Sequence, residues 1–260
     1  MKSALDPDKT WASRQLEENE QPVLLAALRQ GTALTAAHSE AQISTGDLFE
    51  SGLELAYAYR FDGQAPEAAA WLKEMDAALA AAPAVSVADQ SQIDAARKRY
   101  ALMGHHLPAI EILKSFASPT TKAAIDWKSA KVTILVLFPD WCTQCRKMMK
   151  DLTAFAIVNT DTPIHAYGLV YSQKSEKAAT PEPASAEELA KDLQSTNTFL
   201  VPASTAQTFA AMDFPLGILL SSKGTIRTLG VLPIDAFRSD SYLEKIIHRR
   251  VLGSLDPEPK

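Results

Sequence analysis

The chain has little of three features that mark common protein classes: cysteine, long apolar runs and charge of one sign. Two cysteines among 260 residues exclude a scaffold of several disulfides. The longest strongly apolar run covers residues 132–138 and is far too short to span a bilayer. The first residues have no apolar core and turn acidic at Asp6, so they show no signal peptide.

The charge balance limits the partners that we expect. The formal net charge is −5, and no long run of acidic or basic residues occurs. Nucleic acids and anionic membranes attract chains with clustered basic residues, so we expect neither as a partner. The hydrophobic content of 47% is ordinary for a chain with a buried core. The length suits two modest domains or one large one.

Both cysteines stand in one motif, Trp141-Cys142-Thr143-Gln144-Cys145. The apolar run at residues 132–138 predicts a buried strand before it, and residues 141–158 predict a helix that begins with it. Two thiols three positions apart at a helix start can close a disulfide within one turn. The unpaired N–H groups and positive dipole end of the helix stabilise a thiolate and lower the thiol pKa. The motif therefore predicts dithiol–disulfide chemistry.

Zinc sites also use Cys-x-x-Cys pairs, but they need four ligands. The chain has no second cysteine pair, and its five histidines show no ligand spacing. We therefore expect no metal in this site. Copper delivery through Cys142, Cys145 and one distant histidine is the alternative that the residues leave open.

The N-terminal part, residues 9–104, shows helical patterns only, with frequent alanine that favours close helix packing. The predicted helices cover residues 22–29, 49–61, 66–79 and 87–103. A weak repeat places alanine five residues after Gly31, Gly63 and Gly104, and residues 22–115 resemble the tetratricopeptide-repeat family. A small alanine-rich helical hairpin domain is the alternative. Either reading implies a packing or docking surface rather than an enzyme site.

From residue 131 onward the pattern changes to alternating strands and helices. Strands are predicted at residues 132–138, 164–171, 216–220 and 225–229, and helices at 141–158, 184–193, 204–212 and 240–251. Ser185 with Glu188 three residues later predicts a capping box, and Ser222-Lys223-Gly224 predicts a hairpin turn. Residues 110–113 fit either a short strand or a repeat-like helix.

This order, with Trp-Cys-x-x-Cys after the first strand, resembles the thioredoxin fold over residues 117–252. Phe214-Pro215 stands before the third strand, where the family has a cis-proline that faces the dithiol. The resemblance implies an α/β thioredoxin-like domain at residues 109–260, with a central mixed sheet flanked by helices. An all-α, repeat-like domain at residues 1–108 precedes it.

The interval between Cys142 and Pro215 is longer than in a minimal thioredoxin. It implies an insertion near residues 173–200, which is similar to the TlpA-like, extracytoplasmic branch of the family. On this resemblance we expect a periplasmic or other extracytoplasmic location and a leader that this sequence lacks. A cytoplasmic location is the alternative.

Residue roles follow from the resemblance. Cys142, nearer the helix start and more exposed, would be the nucleophile, and Cys145 would resolve the mixed disulfide. Pro215 would hold its peptide cis and leave the backbone of Phe214 free to bind an extended substrate. Trp141 would shield the pair and contact substrate. Thr143 and Gln144, between the cysteines, would contact substrate and tune the reduction potential.

Two positions depart from the family pattern. Thioredoxins carry a buried acid six residues before the first cysteine, but this chain has Val136 there. Asp140 is near in sequence, and we expect it to face solvent in the turn. Thr143-Gln144 is not one of the family's familiar dipeptides, so the direction of electron flow is open. Arg146 and Lys147 are expected to be solvated helix residues; the alternative is that they add positive potential near the thiolate.

The sequence thus predicts a thiol–disulfide oxidoreductase, with a reductase as the leading hypothesis. It would need no organic cofactor, because electrons pass from thiol to thiol. Its expected partners are protein thiol or disulfide substrates, a redox partner protein and a docking partner for the helical domain. The alternative is a helical interaction module whose dithiol is a redox switch or catalytically weak. A peroxidase-type redoxin ranks below both.

Overall fold

The structure is a computed structural model that describes residues 20–30, 34–35, 42–61, 63–116, 124–158, 163–173 and 184–232. The predicted helix at residues 240–251 and the first copy of the repeat pattern, at Gly31, lie outside these residues. The chain divides between Tyr100 and Ala101 into two compact units. The assignment of residues 1–108 and 109–260 to separate domains stays a prediction.

The first unit is mainly helical in its described part. Its elements are α1 (Glu20–Gln30), β1 (Leu34–Thr35), β2 (Gln42–Ile43), α2 (Thr45–Phe61), α3 (Ala65–Ala80) and α4 (Val87–Leu102), of which the last two residues fall past the division. The four predicted helices are present. The expectation of helix alone was wrong, because β1 and β2 form a two-stranded antiparallel pair. The tetratricopeptide-repeat resemblance stays a prediction.

Small residues let the helices of the first unit approach closely. The indole Nε1 of Trp71 on α3 donates a hydrogen bond of 2.7 Å to the carbonyl of Gly52 on α2. A Cβ atom at Gly52 would lie 2.4 Å from Cε of Met75. Trp71, Met75 and Ile93 belong to one buried apolar cluster, so this crossing lies in the core of the unit.

The second unit is built on a six-stranded mixed sheet. Its elements are β3 (Lys114–Ser115), β4 (Val132–Pro139), α5 (Thr143–Val158), β5 (Ile164–Tyr171), α6 (Ala186–Leu193), β6 (Thr198–Val201), α7 (Ser204–Thr208), β7 (Leu216–Ser221) and β8 (Ile226–Val231). The strand order is β3-β6-β5-β4-β7-β8. β4 runs parallel to β5 and antiparallel to β7.

Every residue of β4 is buried, as the prediction of a central strand requires. Its continuous apolar run is what a strand covered on both faces needs. The parallel strands β5 and β6 follow on one side and the antiparallel hairpin β7–β8 on the other. This mixed sheet with flanking helices is a thioredoxin-like fold, as the sequence predicts.

Several local predictions need correction. The helix predicted at residues 204–212 ends at Thr208, and Ala210 has a positive φ of 47°, which breaks a right-handed helix. Residues 110–113 form neither helix nor strand. Instead the N–H of Leu113 bonds to the carbonyl of Leu200, and the pairing continues into β3. Strands β3 and β6 were not predicted.

Residues just past the division bond to the β7–β8 hairpin of the second unit. The N–H of Gly104 donates to the carbonyl of Ile226, and the N–H of Leu107 donates to that of Gly224. Gly224 has a φ of 77° in the predicted hairpin turn. These bonds explain why the second unit begins before residue 108.

Candidate active site

The two cysteines form a disulfide at the end of the central strand. Cys142 and Cys145 have a Cα–Cα distance of 5.3 Å. Cys142 directly precedes the first residue of α5, and its carbonyl accepts a hydrogen bond of 3.2 Å from the N–H of Arg146. Its Sγ accepts a second bond of 3.2 Å from the N–H of Cys145. The sulfur of Cys142 therefore caps the helix, at the place where backbone N–H groups and the helix dipole stabilise a thiolate.

The two sulfurs differ in their access to solvent. Cys145 is fully buried, at 0% exposure, within the apolar cluster beneath the sheet end. Cys142 is only half-buried and packs against the rim of the same cluster. Their order of exposure is the predicted one, and Cys142 is the more accessible residue of the pair.

Phe214 and Pro215 lie beside the motif. The peptide between them is cis, and the pairing of Leu137 with Leu216 sets Pro215 next to the end of β4. The carbonyl of Pro215 accepts a hydrogen bond of 2.8 Å from Leu232. Among the described residues, neither the N–H nor the C=O of Phe214 has a backbone partner. Within the described residues, this peptide edge of Phe214 therefore has no strand partner.

The other predicted contact residues surround the cysteines. Trp141 is half-buried, and its Nε1 is buried with no hydrogen-bond partner in the part of the chain that the structure describes. Thr143 and Gln144 are exposed on the first turn of α5. The structure therefore brings all seven predicted site residues to one end of the sheet. Their roles in catalysis and substrate binding stay predictions.

The expectation for Asp140 was wrong: it is 2% exposed rather than solvent-facing. The parallel pairing of β4 with β5 continues past Pro139, because the N–H of Asp140 donates a 2.9 Å hydrogen bond to the carbonyl of Tyr171. This bond holds the residue against the sheet. Its Oδ2 accepts a 2.7 Å hydrogen bond from Ser172. Its Oδ1 is buried and has no partner among the described residues.

The charge of Asp140 acts on a neighbouring tyrosine. Burial raises the pKa of Tyr171 far above its usual value, and the negative charge of Asp140 raises it further. The ring of Tyr171 lies 5.8 Å from that of Phe214, centroid to centroid. A polar cluster that includes a buried carboxyl group therefore lies beside the side chain of Phe214.

Arg146 also contradicts its expectation, because it is only 7% exposed. Its Nε donates to Oδ2 of Asp192 at 2.9 Å, Nη1 donates to the carbonyl of Asp140, and Nη2 donates to Oγ1 of Thr143 at 3.4 Å. Lys147, the next residue, is exposed as expected. Arg146 comes four residues after Cys142, so the helical period turns it back toward the motif.

Helix α6, in the predicted insertion, supplies the partner of Arg146. Its N-terminus has the predicted capping box: Ser185 accepts from the N–H of Glu188 at 3.2 Å, and the Glu188 carboxylate accepts from the N–H of Ser185 at 2.8 Å. Asp192 lies in its last turn. The sequence gives no signal for this ion pair, since the partners are 46 positions apart.

The described residues lack two further features. They contain no group of three or more His, Cys, Asp or Glu side chains placed to hold a metal ion. None of their helices has both the length and the apolar character needed to cross a membrane.

No protein-family model matches the chain, and no curated protein sequence matches it. Solved structures that are similar to it include a thiol:disulfide interchange protein from Bacteroides sp., with 19% identity over 59% of this chain and 93% of that one, at a TM-score of 0.40. A DsbF homologue from Corynebacterium diphtheriae has 21% identity over 55% and 87% of the two chains, at a TM-score of 0.37. The thioredoxin domain of a thiol-disulfide oxidoreductase from Bacteroides vulgatus has 19% identity over 47% and 82%, at a TM-score of 0.34.

Proposed function

We propose that the second unit exchanges disulfides with protein substrates through Cys142 and Cys145. The observation that carries this proposal is the asymmetric pair at the start of α5. Cys142 is half-buried and its sulfur accepts a hydrogen bond from a helix N–H group, whereas Cys145 is fully buried one turn later. A thiolate at the first position is stabilised for attack, and the second thiol is held ready to displace the product.

The exchange balances as a two-electron reaction. In the reduced protein the Cys142 thiolate attacks one sulfur of a substrate disulfide, and the other substrate sulfur leaves and takes a proton. Cys145 then loses its proton and attacks Sγ of Cys142, which releases the second substrate sulfur as a thiol. The substrate gains two electrons and two protons, and the protein is left with the disulfide seen in the structure. A redox partner protein with a dithiol would restore the reduced form.

Substrate binding would use the peptide edge at Phe214. The N–H and C=O of Phe214 lack backbone partners in the described structure, so an extended segment can pair with them as an added strand. Trp141, Thr143 and Gln144 would contact the residues that flank the substrate cysteine. Extended segments of unrelated sequence would then bind, because the main-chain bonds do not depend on side chains.

The finer assignments rest on the sequence resemblance. Within the proposed function we assign reduction of protein disulfides, membership of the TlpA-like branch, an extracytoplasmic location and a docking role for the helical unit. The presence of helix α6 within the predicted insertion at residues 173–200 supports the branch assignment.

Trapping of the mixed disulfide tests the proposed roles. The Cys145→Ser variant, reduced and mixed with a peptide that contains a disulfide, is expected to form a stable covalent adduct through Cys142. The Cys142→Ser variant is the matched control and is expected to form little adduct, because the sulfur of Cys145 is buried. Mass spectrometry of the intact protein measures both. Equal adducts in the two variants, or none in either, would overturn the assignment.

A further inference from the structure

Arg146 is a buried cation that the proposed exchange does not use. Its guanidinium joins three parts of the second unit: the Asp140 carbonyl in the turn before Cys142, Oγ1 of Thr143 in the first turn of α5, and Oδ2 of Asp192 on α6. The planar fork of arginine suits three such acceptors at once. The two protein segments on either side of Cys142 are therefore fixed by one charged group.

The charged groups around Arg146 differ in their burial and in the contacts that they make. Asp192 pairs with Arg146 directly, while Nζ of Lys150 on α5 is 3.8 Å from the other Asp192 oxygen and half-exposed. Glu188 on α6 lies close enough for Arg146 to contribute to its lowered pKa, after the larger effect of hydrogen bonds from Ser185. Asp140 presents its carbonyl, and not its carboxyl group, to the guanidinium. Arg146 thus combines the strongest burial with the contacts nearest to Cys142.

The charge of this cluster changes the relative stability of the two redox states. The disulfide is neutral, whereas the reduced site carries a negative charge on Cys142 once its thiol is deprotonated. A buried cation one helical turn away favours the charged state, and a carboxylate next to that cation opposes it. Because the Arg146 side chain is shielded from water, its effect on the thiolate is greater than that of an exposed charge at a similar separation, whereas the Asp192 side chain is 32% exposed and water screens part of its effect.

We propose that Arg146, balanced by its ion pair with Asp192, is a positioning residue that sets the equilibrium between the disulfide and the reduced dithiol. This inference rests on the proposed function, because it assumes that the dithiol is redox-active. Helix α6 then contributes to the redox equilibrium, since it supplies the opposing charge of Asp192. A purely structural ion pair would instead leave the redox equilibrium unchanged whichever partner was altered.

Two substitutions with opposite expected signs test the proposal. Arg146→Gln removes the favourable charge, so the equilibrium constant in glutathione buffer should shift about threefold to tenfold toward the disulfide. Such a change is a fall in the reduction potential of about 14 to 30 mV. Asp192→Asn removes the opposing charge, so the equilibrium should shift toward the dithiol, by a smaller factor because Asp192 is partly exposed. Lys147→Gln is the matched control: it removes one positive charge from the next residue, which is exposed, and should change the equilibrium less than about twofold.

The equilibrium is measured on the full chain, in glutathione buffers at a pH above the Cys142 thiol pKa. The pH dependence of Cys142 alkylation by iodoacetamide gives that pKa, which should rise in Arg146→Gln and fall in Asp192→Asn. Arg146→Lys keeps a charge without the fork and serves if the glutamine variant does not fold. Because the lysine keeps the charge but loses the forked contacts, its equilibrium should shift toward the disulfide by less than about threefold, opposite in sign to the shift of Asp192→Asn.

The outcomes separate the two proposals. Shifts of the same sign in Arg146→Gln and Asp192→Asn, or shifts no larger than that of Lys147→Gln, would overturn the role of Arg146 and leave the proposed function standing. If the native protein shows no reversible disulfide at any glutathione ratio, the proposed function itself fails. The inference is supported if Arg146→Gln and Asp192→Asn shift the redox equilibrium in opposite directions and if both shifts become smaller at a pH where the Cys142 thiol is protonated.

Discussion

The hydrogen bond from Ser172 to Asp140 provides a direct test of the buried carboxyl group beside the motif. Ser172→Ala removes the hydroxyl that donates 2.7 Å to Oδ2 of Asp140. In the native chain this leaves Asp140, which is 2% exposed, without a hydrogen bond on either carboxyl oxygen in the described structure. After Asp140→Ala the same change should have almost no effect, because Ser172 is exposed and its hydroxyl can bond to water.

The magnitude follows from the charge and exposure of the two partners. A hydrogen bond to a charged group contributes about 1.5–3 kcal/mol to stability. Because Ser172 is exposed, water can enter when its side chain is shortened, so we expect the lower end of that range. The double-mutant cycle should therefore give a coupling of about 1.5 kcal/mol, close to a tenfold change in the opening equilibrium.

Amide hydrogen exchange of the β4 residues measures this coupling in the oxidised protein, because these buried amides exchange through large-scale opening of the second unit. The Ser129–Asp126 pair is a matched control. It also has a serine hydroxyl on an aspartate oxygen, at 2.6 Å, but both residues are exposed. The coupling energy of the Ser129–Asp126 pair should be clearly smaller than that of the Ser172–Asp140 pair. Equal couplings, or a value near zero for Ser172 and Asp140, would refute the burial of Asp140 and restore the solvent-facing interpretation.

Two further predictions concern helix ends and pH. Ser185→Ala removes the capping box of α6 and should lower the free energy of unfolding of the second unit by about 1 kcal/mol. Urea unfolding measures this, and Thr153→Ala, in the interior of α5 of the same unit, is the control. Burial acts to raise the pKa of Asp89, but hydrogen bonds from Ser86 and the Gly46 N–H outweigh it and lower the pKa. A lowered pKa stabilises the fold above the unfolded value of about 3.9. The stability difference between the native chain and Asp89→Asn should therefore shrink as pH falls below about 4, and a constant difference across that range would contradict this.

The sequence predicted the parts of the fold that local pattern determines. The continuous apolar run of β4 needed only burial on both faces, and the capping box of α6 needed only Ser185 and Glu188 at the right spacing. The motif itself marked the strand end and helix start. Strand β3, by contrast, has two residues and exists because it pairs with β6. No periodicity can reveal an element of that length.

The residues of the candidate site also divide into those that the sequence predicted and those whose burial depends on tertiary contacts. The positions of Cys142, Cys145 and Pro215 followed from the motif and the family resemblance. Asp140 is buried because the pairing of β4 with β5 continues past the end of the apolar run, through Pro139 to the N–H of Asp140. Arg146 is buried because α6 brings Asp192 to it from a distant part of the chain. Both residues are buried by contacts with distant parts of the chain. Charged residues near a helix start form no sequence pattern that predicts such contacts.

The most direct measurement of the central claim is the redox equilibrium of the full chain in glutathione buffers of stepped composition. Free thiols are trapped at each step and counted by mass. The proposed function predicts reversible loss of two thiols at one midpoint, abolished in both Cys142→Ser and Cys145→Ser. Thiols that stay unreactive at every glutathione ratio, in a protein whose circular dichroism shows it to be folded, would contradict an active dithiol at the start of α5.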